Sequence, residues 1–90
     1  MYNIEFKRGK EGIKITDGEV SEITFSMDIK KLSKSFLVNI PSYDIHFSTT
    51  SKDNIEKLAL KSFNSFFEFW LIKKGVKDFM QHMMNLGFKT

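Results

Sequence analysis

The sequence predicts an α+β fold in one domain spanning residues 1–90, with a mainly antiparallel β-meander packed against one long helix in the C-terminal half, followed by a short helix. Three observations carry this expectation. Apolar and polar residues alternate with a period of two in several short stretches between Tyr2 and Phe47, as strands with one buried face require. The connections between these stretches are hairpin-sized. The spacing then changes to three and four residues at Ile55, Leu58, Ala59, Phe63, Phe66, Phe67 and Trp70, and both helical patterns come last in the chain.

The first strand is Tyr2, Ile4 and Phe6 alternating with Asn3, Glu5 and Lys7. Arg8 to Gly12 is a charged loop with two glycines, and the absence of a following Lys-Ser/Thr makes these turn glycines and not a phosphate loop. Ile13 and Ile15 resume the alternation until Thr16-Asp17-Gly18-Glu19, where Asp-Gly is the dipeptide favoured at tight hairpins. Ile23, Phe25, Met27 and Ile29 give the cleanest alternation, so one half-buried strand is expected from Val20 to Asp28. Val20 breaks its parity and marks either a bulge or the end of the turn. The basic loop Lys30 to Ser35 follows. Phe36, Val38 and Ile40 form the next strand, Pro41-Ser42 stops it, and Tyr43, Ile45 and Phe47 begin another.

The long helix is expected over Ser51 to Lys74, with Thr50 or Ser51 capping its first amides and Asp53 or Asn54 near the third helical position. Lys73-Lys74-Gly75 supplies cations and a left-handed terminating glycine at its end. Val76, Phe79, Met80, Met83 and Met84 repeat the spacing over a shorter helix that ends at Asn85-Leu86-Gly87, after which Phe88 folds back.

Ten phenylalanines, one tryptophan and five methionines stock the core, and a chain of this length buries about 60 to 65% of its unfolded surface. There is no cysteine, which excludes disulfides and thiolate metal sites and fits a reducing compartment. The cytoplasm is the default location, since neither a signal sequence nor an apolar run long enough to span a membrane is visible. The formal charge is +3, with seven basic and seven acidic residues before position 46 and seven basic and four acidic from there on. All but one of the basic residues are lysine, and arginine is the residue that forks onto phosphates. The basicity is therefore read as a solvated surface, and nucleic-acid binding is not expected. Were it to occur, Lys30, Lys31 and Lys34 would carry it. His46 is placed on the solvated face of its strand and His82 on the polar side of the second helix. The acidic residues are scattered over outward faces, so no catalytic residue, metal site or cofactor is expected.

On the long helix, Ile55, Ala59, Phe63, Phe66 and Trp70 gather on one side while Leu60, Phe67 and Leu71 extend the apolar sector well round it. One sheet face cannot cover so wide an arc. Either the short helix or another chain must lie on it, and the partner or dimer surface is assigned to Leu60, Phe67, Leu71, Phe79, Met80 and Met83, with a homodimer as the expected state.

The run Phe36-Leu37-Val38-Asn39-Ile40-Pro41, the short strand Asp44 to Ser48 and the polar entry to the helix at Thr49 to Asp53 carry a resemblance. With Phe66-Phe67-Glu68-Phe69-Trp70, Lys74-Gly75 and Leu86-Gly87-Phe88, the stretch from Ile23 to Phe88 resembles the HicB-like antitoxin family, in its small single-domain branch without a C-terminal DNA-binding domain. The resemblance implies antiparallel strands with a helix packed on them, in part of a ribonuclease-H-like topology without that enzyme's metal-binding carboxylates. It also implies a non-enzymatic protein-binding module, with a HicA-like RNA-cleaving toxin as partner. A nucleic-acid-binding domain and a structural homo-oligomerising domain are the alternatives.

Overall fold

The computed structural model describes residues 2–90. It is α+β as expected, with six strands, β1 (Ile4–Arg8), β2 (Glu11–Thr16), β3 (Glu19–Thr24), β4 (Asp28–Lys31), β5 (Phe36–Ile40) and β6 (Ile45–Thr49), preceding both helices. All pairings are antiparallel, but they form two three-stranded sheets, β1-β2-β3 and β4-β5-β6. The strand expected from Val20 to Asp28 is thus divided at Phe25–Met27, where no neighbour continues the ladder.

The side-chain pattern does not register this division. Ile23, Phe25 and Met27 all pack against the core although only Ile23 lies in a paired strand. Backbone directions explain how the sheets adjoin. Lys7 exchanges hydrogen bonds with Lys89 across the free side of β1, so by alternation Glu22 and Thr24 turn their backbone groups toward β2. Leu32 N–H donates to Ser35 at 2.8 Å in the β4–β5 hairpin, which turns Asp28 and Lys30 toward β5. From Glu22 to Lys30, past the irregularity at Val20, even-numbered residues therefore address both neighbours from the same side of the segment 19–31. The two hairpins sit end to end along it, in a molecule 46 × 24 × 19 Å.

The gap between the hairpins is filled by polar contacts. The Glu11 carboxylate accepts from Ser42 Oγ (2.7 Å) and from the Ser26 amide (3.2 Å), and Tyr43 Oη donates to the Thr24 carbonyl at 2.9 Å. Burial, and secondarily the Glu11 carboxylate, push the Tyr43 phenol well above its ordinary range, so it stays a donor. The Val20 irregularity is a bulge: Lys14 faces Glu22 but Ile15 faces Val20, leaving Ser21 unpaired. The extra residue lets Val20 and Ile23 share the inner face. At Gly12 a side chain would run into the Phe6 carbonyl on β1, so the first hairpin closes tightly only without a Cβ there.

The long helix opens with a 3-10 turn (Lys52–Asn54), continues as α1 (Ile55–Phe67) and ends in π-wound turns (Glu68–Lys74). The expected capping differs. Ser51 makes no side-chain cap bond, and its amide donates instead to Thr49 Oγ1 at 3.2 Å. The tighter opening turn, with Asn54 N–H on the Ser51 carbonyl, shelters an amide that a cap would otherwise take. Gly75 is not in the left-handed helical well but at φ 100°, ψ 167°, a backbone region open only to glycine. It redirects the chain, and its carbonyl accepts from Phe79 N–H to start α2 (Val76–Asn85).

Ala59, Phe63 and Phe66 of α1 form the core with Phe6, Ile13, Ile15, Ile40, Tyr43, Phe79, Met83 and Phe88. Tyr43 is at its middle, with ring centroids 5.1 Å from Phe63 and 4.9 Å from Phe88. After α2, Gly87 N–H bonds to the Met84 carbonyl and Phe88 N–H to that of Met83, a Schellman ending that turns Phe88 into the core. Lys89 then pairs with Lys7 along the edge of β1. No helix among the described residues is long and apolar enough to cross a membrane.

Candidate partner-binding surface

The apolar sector of the long helix is covered in part from within. α2 folds back on the helix end, bringing Phe79 edge-on to Phe6 (5.6 Å) and beside Phe66 (6.3 Å). Phe79 and Met83 are consequently wholly buried. Their assignment to a partner surface is corrected: they are core, because the Gly75 turn lays their face directly on the sheet-facing side of the long helix. Phe67, Leu71 and Met80 are half-buried against the same core. Leu60 alone of the assigned residues stands free, 51% exposed on the far side of α1.

Three further apolar side chains, not assigned from the sequence, are exposed with it: Phe69 (44%), Ile72 (77%) and Met84 (58%). Ile72 lies outward already at α-helical spacing, about 140° round from the side of Ile55, Ala59, Phe63, Phe66 and Trp70, and the π-wound turns of Glu68–Lys74 act mainly on its neighbour Leu71. Hydrogen bonds of the i→i+5 type turn the chain by less per residue than the 100° of an α-helix. Leu71 is thereby held closer to the body, while Trp70 and Ile72 keep the inward and outward sides that α-helical spacing gives them. Phe69 meets Trp70 edge-on at 5.1 Å, and the Lys74 ammonium lies 5.5 Å from the Phe69 ring centre.

His82 also departs from expectation. It lies against the core side of α2 and not on its polar side, stacked on Trp70 with ring centroids 3.9 Å apart and planes 8° from parallel. Burial lowers its pKa from the ordinary imidazole value, opposed by the Asp44 carboxylate. The stack is structural, as Phe66 flanks the ring at 5.6 Å. His46 is exposed on β6 as expected, and so are Lys30, Lys31 and Lys34 around the β4–β5 turn.

A shallow groove of about 440 Å³ runs over the outer face of the first sheet, lined by Glu5, Lys7, Lys14, Glu22, Gly9 and Gly12 among others. Its charges alternate in sign across the strands, Glu5 opposite Lys14 opposite Glu22, and Glu5 also pairs with Lys7 at 3.0 Å. Among the described residues, no group of three His, Cys, Asp or Glu is placed to hold a metal ion. Comparison with known families, characterised proteins and solved structures gives no match.

Proposed function

We propose that this chain is a protein-binding module without chemistry of its own, acting through the free side of its long helix in the manner of the HicB-like antitoxins it resembles. The observation that supports this reading is that Leu60, Phe69 and Ile72 remain exposed after α2 has covered what it can reach. Large apolar side chains held out by a rigid helix are what helix-mediated recognition uses. The partner proposed is a small RNA-cleaving toxin of the HicA type, encoded beside this chain. Nucleic acid itself fits less well, because Phe6, Phe25 and Phe47 pack against the core and Phe36, at an alternate position of β5 with Val38 and Ile40, is half-buried, so the strands present no row of exposed rings.

Co-expression with the small reading frame adjoining the coding region tests the proposal. The two products are expected to co-purify and growth to be restored. Leu60→Asp and Ile72→Asp are each expected to weaken capture at least tenfold while leaving the circular dichroism spectrum unchanged. Capture undiminished in both variants would exclude this surface.

A further inference from the structure

The segment Glu19 to Lys31 has a neighbour on one side only. β3 pairs solely with β2 and β4 solely with β5, and from Glu22 to Lys30 the even-numbered residues turn their backbone groups toward those neighbours. The amides and carbonyls of Ile23, Phe25, Met27 and Ile29 therefore point the other way, along an open edge. Lone edges of this length are a hazard that proteins blunt with lysines, bulges or cover. Here the bulge at Ser21 and the lysines Lys30 and Lys31 guard only the two ends. The middle, Thr24-Phe25-Ser26-Met27, carries no charge.

We infer that this edge pairs with the same edge of a second copy, antiparallel about a two-fold axis through Ser26, to join the sheets of two protomers. The register is chosen by the residues themselves. In an antiparallel pair, opposed residues share a face, so a two-fold pairing centres on a residue. Centred on Ser26, it sets Glu22 against Lys30 of the second copy, twice over. It sets Ile23 against Ile29 and Phe25 against Met27 on the inner face, and Thr24 against Asp28 on the outer. Centring on Met27 would place Ile23 opposite Lys31, and centring on Ile29 would shorten the pairing to the tip of β4. The Ser26 register also requires the backbone groups of Phe25 and Met27 to face outward, as they do. It extends the inner apolar face over Ile29, which is 51% exposed in the single chain. Glu22, Thr24, Ser26, Asp28 and Lys30 are all exposed. An isologous contact of this kind closes on itself and stops at two copies.

The pairing shares no residue with the helix surface of the proposed function, so each stands or falls alone. Sedimentation over a hundredfold concentration range is expected to show a dimer. Glu22→Lys and Lys30→Glu, singly, each turn both ion pairs into repulsions and should raise the dissociation constant about tenfold or more. Mixing the two variants should restore association, because each mixed dimer contains only opposite charges at those positions. The chain has no cysteine, which permits a second measurement. Ser26→Cys faces its own copy at about 4.5 Å between Cα atoms, within disulfide range. It should form a covalent dimer on mild oxidation, whereas Thr24→Cys, about 13 Å from its counterpart, should not. A monomeric parent chain, a mixture that fails to associate, or equal cross-linking at both positions would overturn the inference. So would a dimer that Leu60→Asp dissolves and Glu22→Lys leaves intact.

Discussion

At the scale of single residues, His82 links packing to pH. Its imidazole lies flat on Trp70 and is partly withdrawn from water, so burial holds its pKa below the ordinary value, with Asp44 opposing the shift. The unfolded chain takes up the proton near pH 6.5, while the folded chain takes it up only at lower pH. The neutral ring's contribution to stability is therefore complete above that pH and is lost as pH falls through the folded value. The urea midpoint of the parent chain is expected to drop between pH 7.5 and 5.5 by more than that of His82→Gln. Parallel curves for the two would show that the stack is indifferent to charge. Nothing in the residue's spacing announces this contact. Position 82 falls outside the narrow stripe of Phe79 and Met83, and the rings of Trp70 and Phe66 beside it make it half-buried.

At the scale of elements, the helix end shows how far periodicity reaches. The stripe Ile55, Ala59, Phe63, Phe66 was readable at α-helical spacing and is buried throughout. From Glu68 on the winding changes, yet Trp70 still packs on the core side where the spacing placed it, and Leu71 is drawn in against the core as well. Trp70→Ala is expected to cost about 2 kcal/mol or more, through lost burial and an empty space beside His82. Ile72→Ala, two residues on, should stay within about 0.5 kcal/mol. Thermal or denaturant unfolding of the two variants checks this, and equal costs would mean that Trp70 is not packed against the core. The division at Phe25–Met27 escaped the sequence for a related reason. Alternation reports which face a side chain takes, whereas a ladder depends on where other strands end. Glu11, Ser42 and Tyr43 fill the place of the missing neighbour, and polar residues so distant in sequence give no local sign of meeting. The hairpin at Asp17-Gly18 and the stop at Pro41, by contrast, rest on turn chemistry and stand as expected.

At the scale of the whole molecule, the most distant parts of the chain are the last to be joined. The hairpins β1–β2 and β4–β5 close over a few residues and can form early, but the Lys7–Lys89 hydrogen bonds require a loop that spans most of the sequence and the Tyr43–Phe88 contact one that spans half of it. Long loops are entropically slow to close. Until the Schellman turn at Gly87 delivers Phe88, the edge of β1 is open and one side of the Tyr43 ring is bare. The tail is expected to act as a latch, absent from the folding barrier and present in the finished fold. Phe88→Ala should accordingly leave the refolding rate nearly unchanged and accelerate unfolding, by the measure of its full equilibrium cost of about 3 to 5 kcal/mol. Stopped-flow chevrons would read this directly, and a slowed refolding limb would instead place the tail in the nucleus. With the refolding limb unchanged, the lifetime of the native state is set by Phe88 and Lys89, which hold shut a structure whose strands and helices are already made.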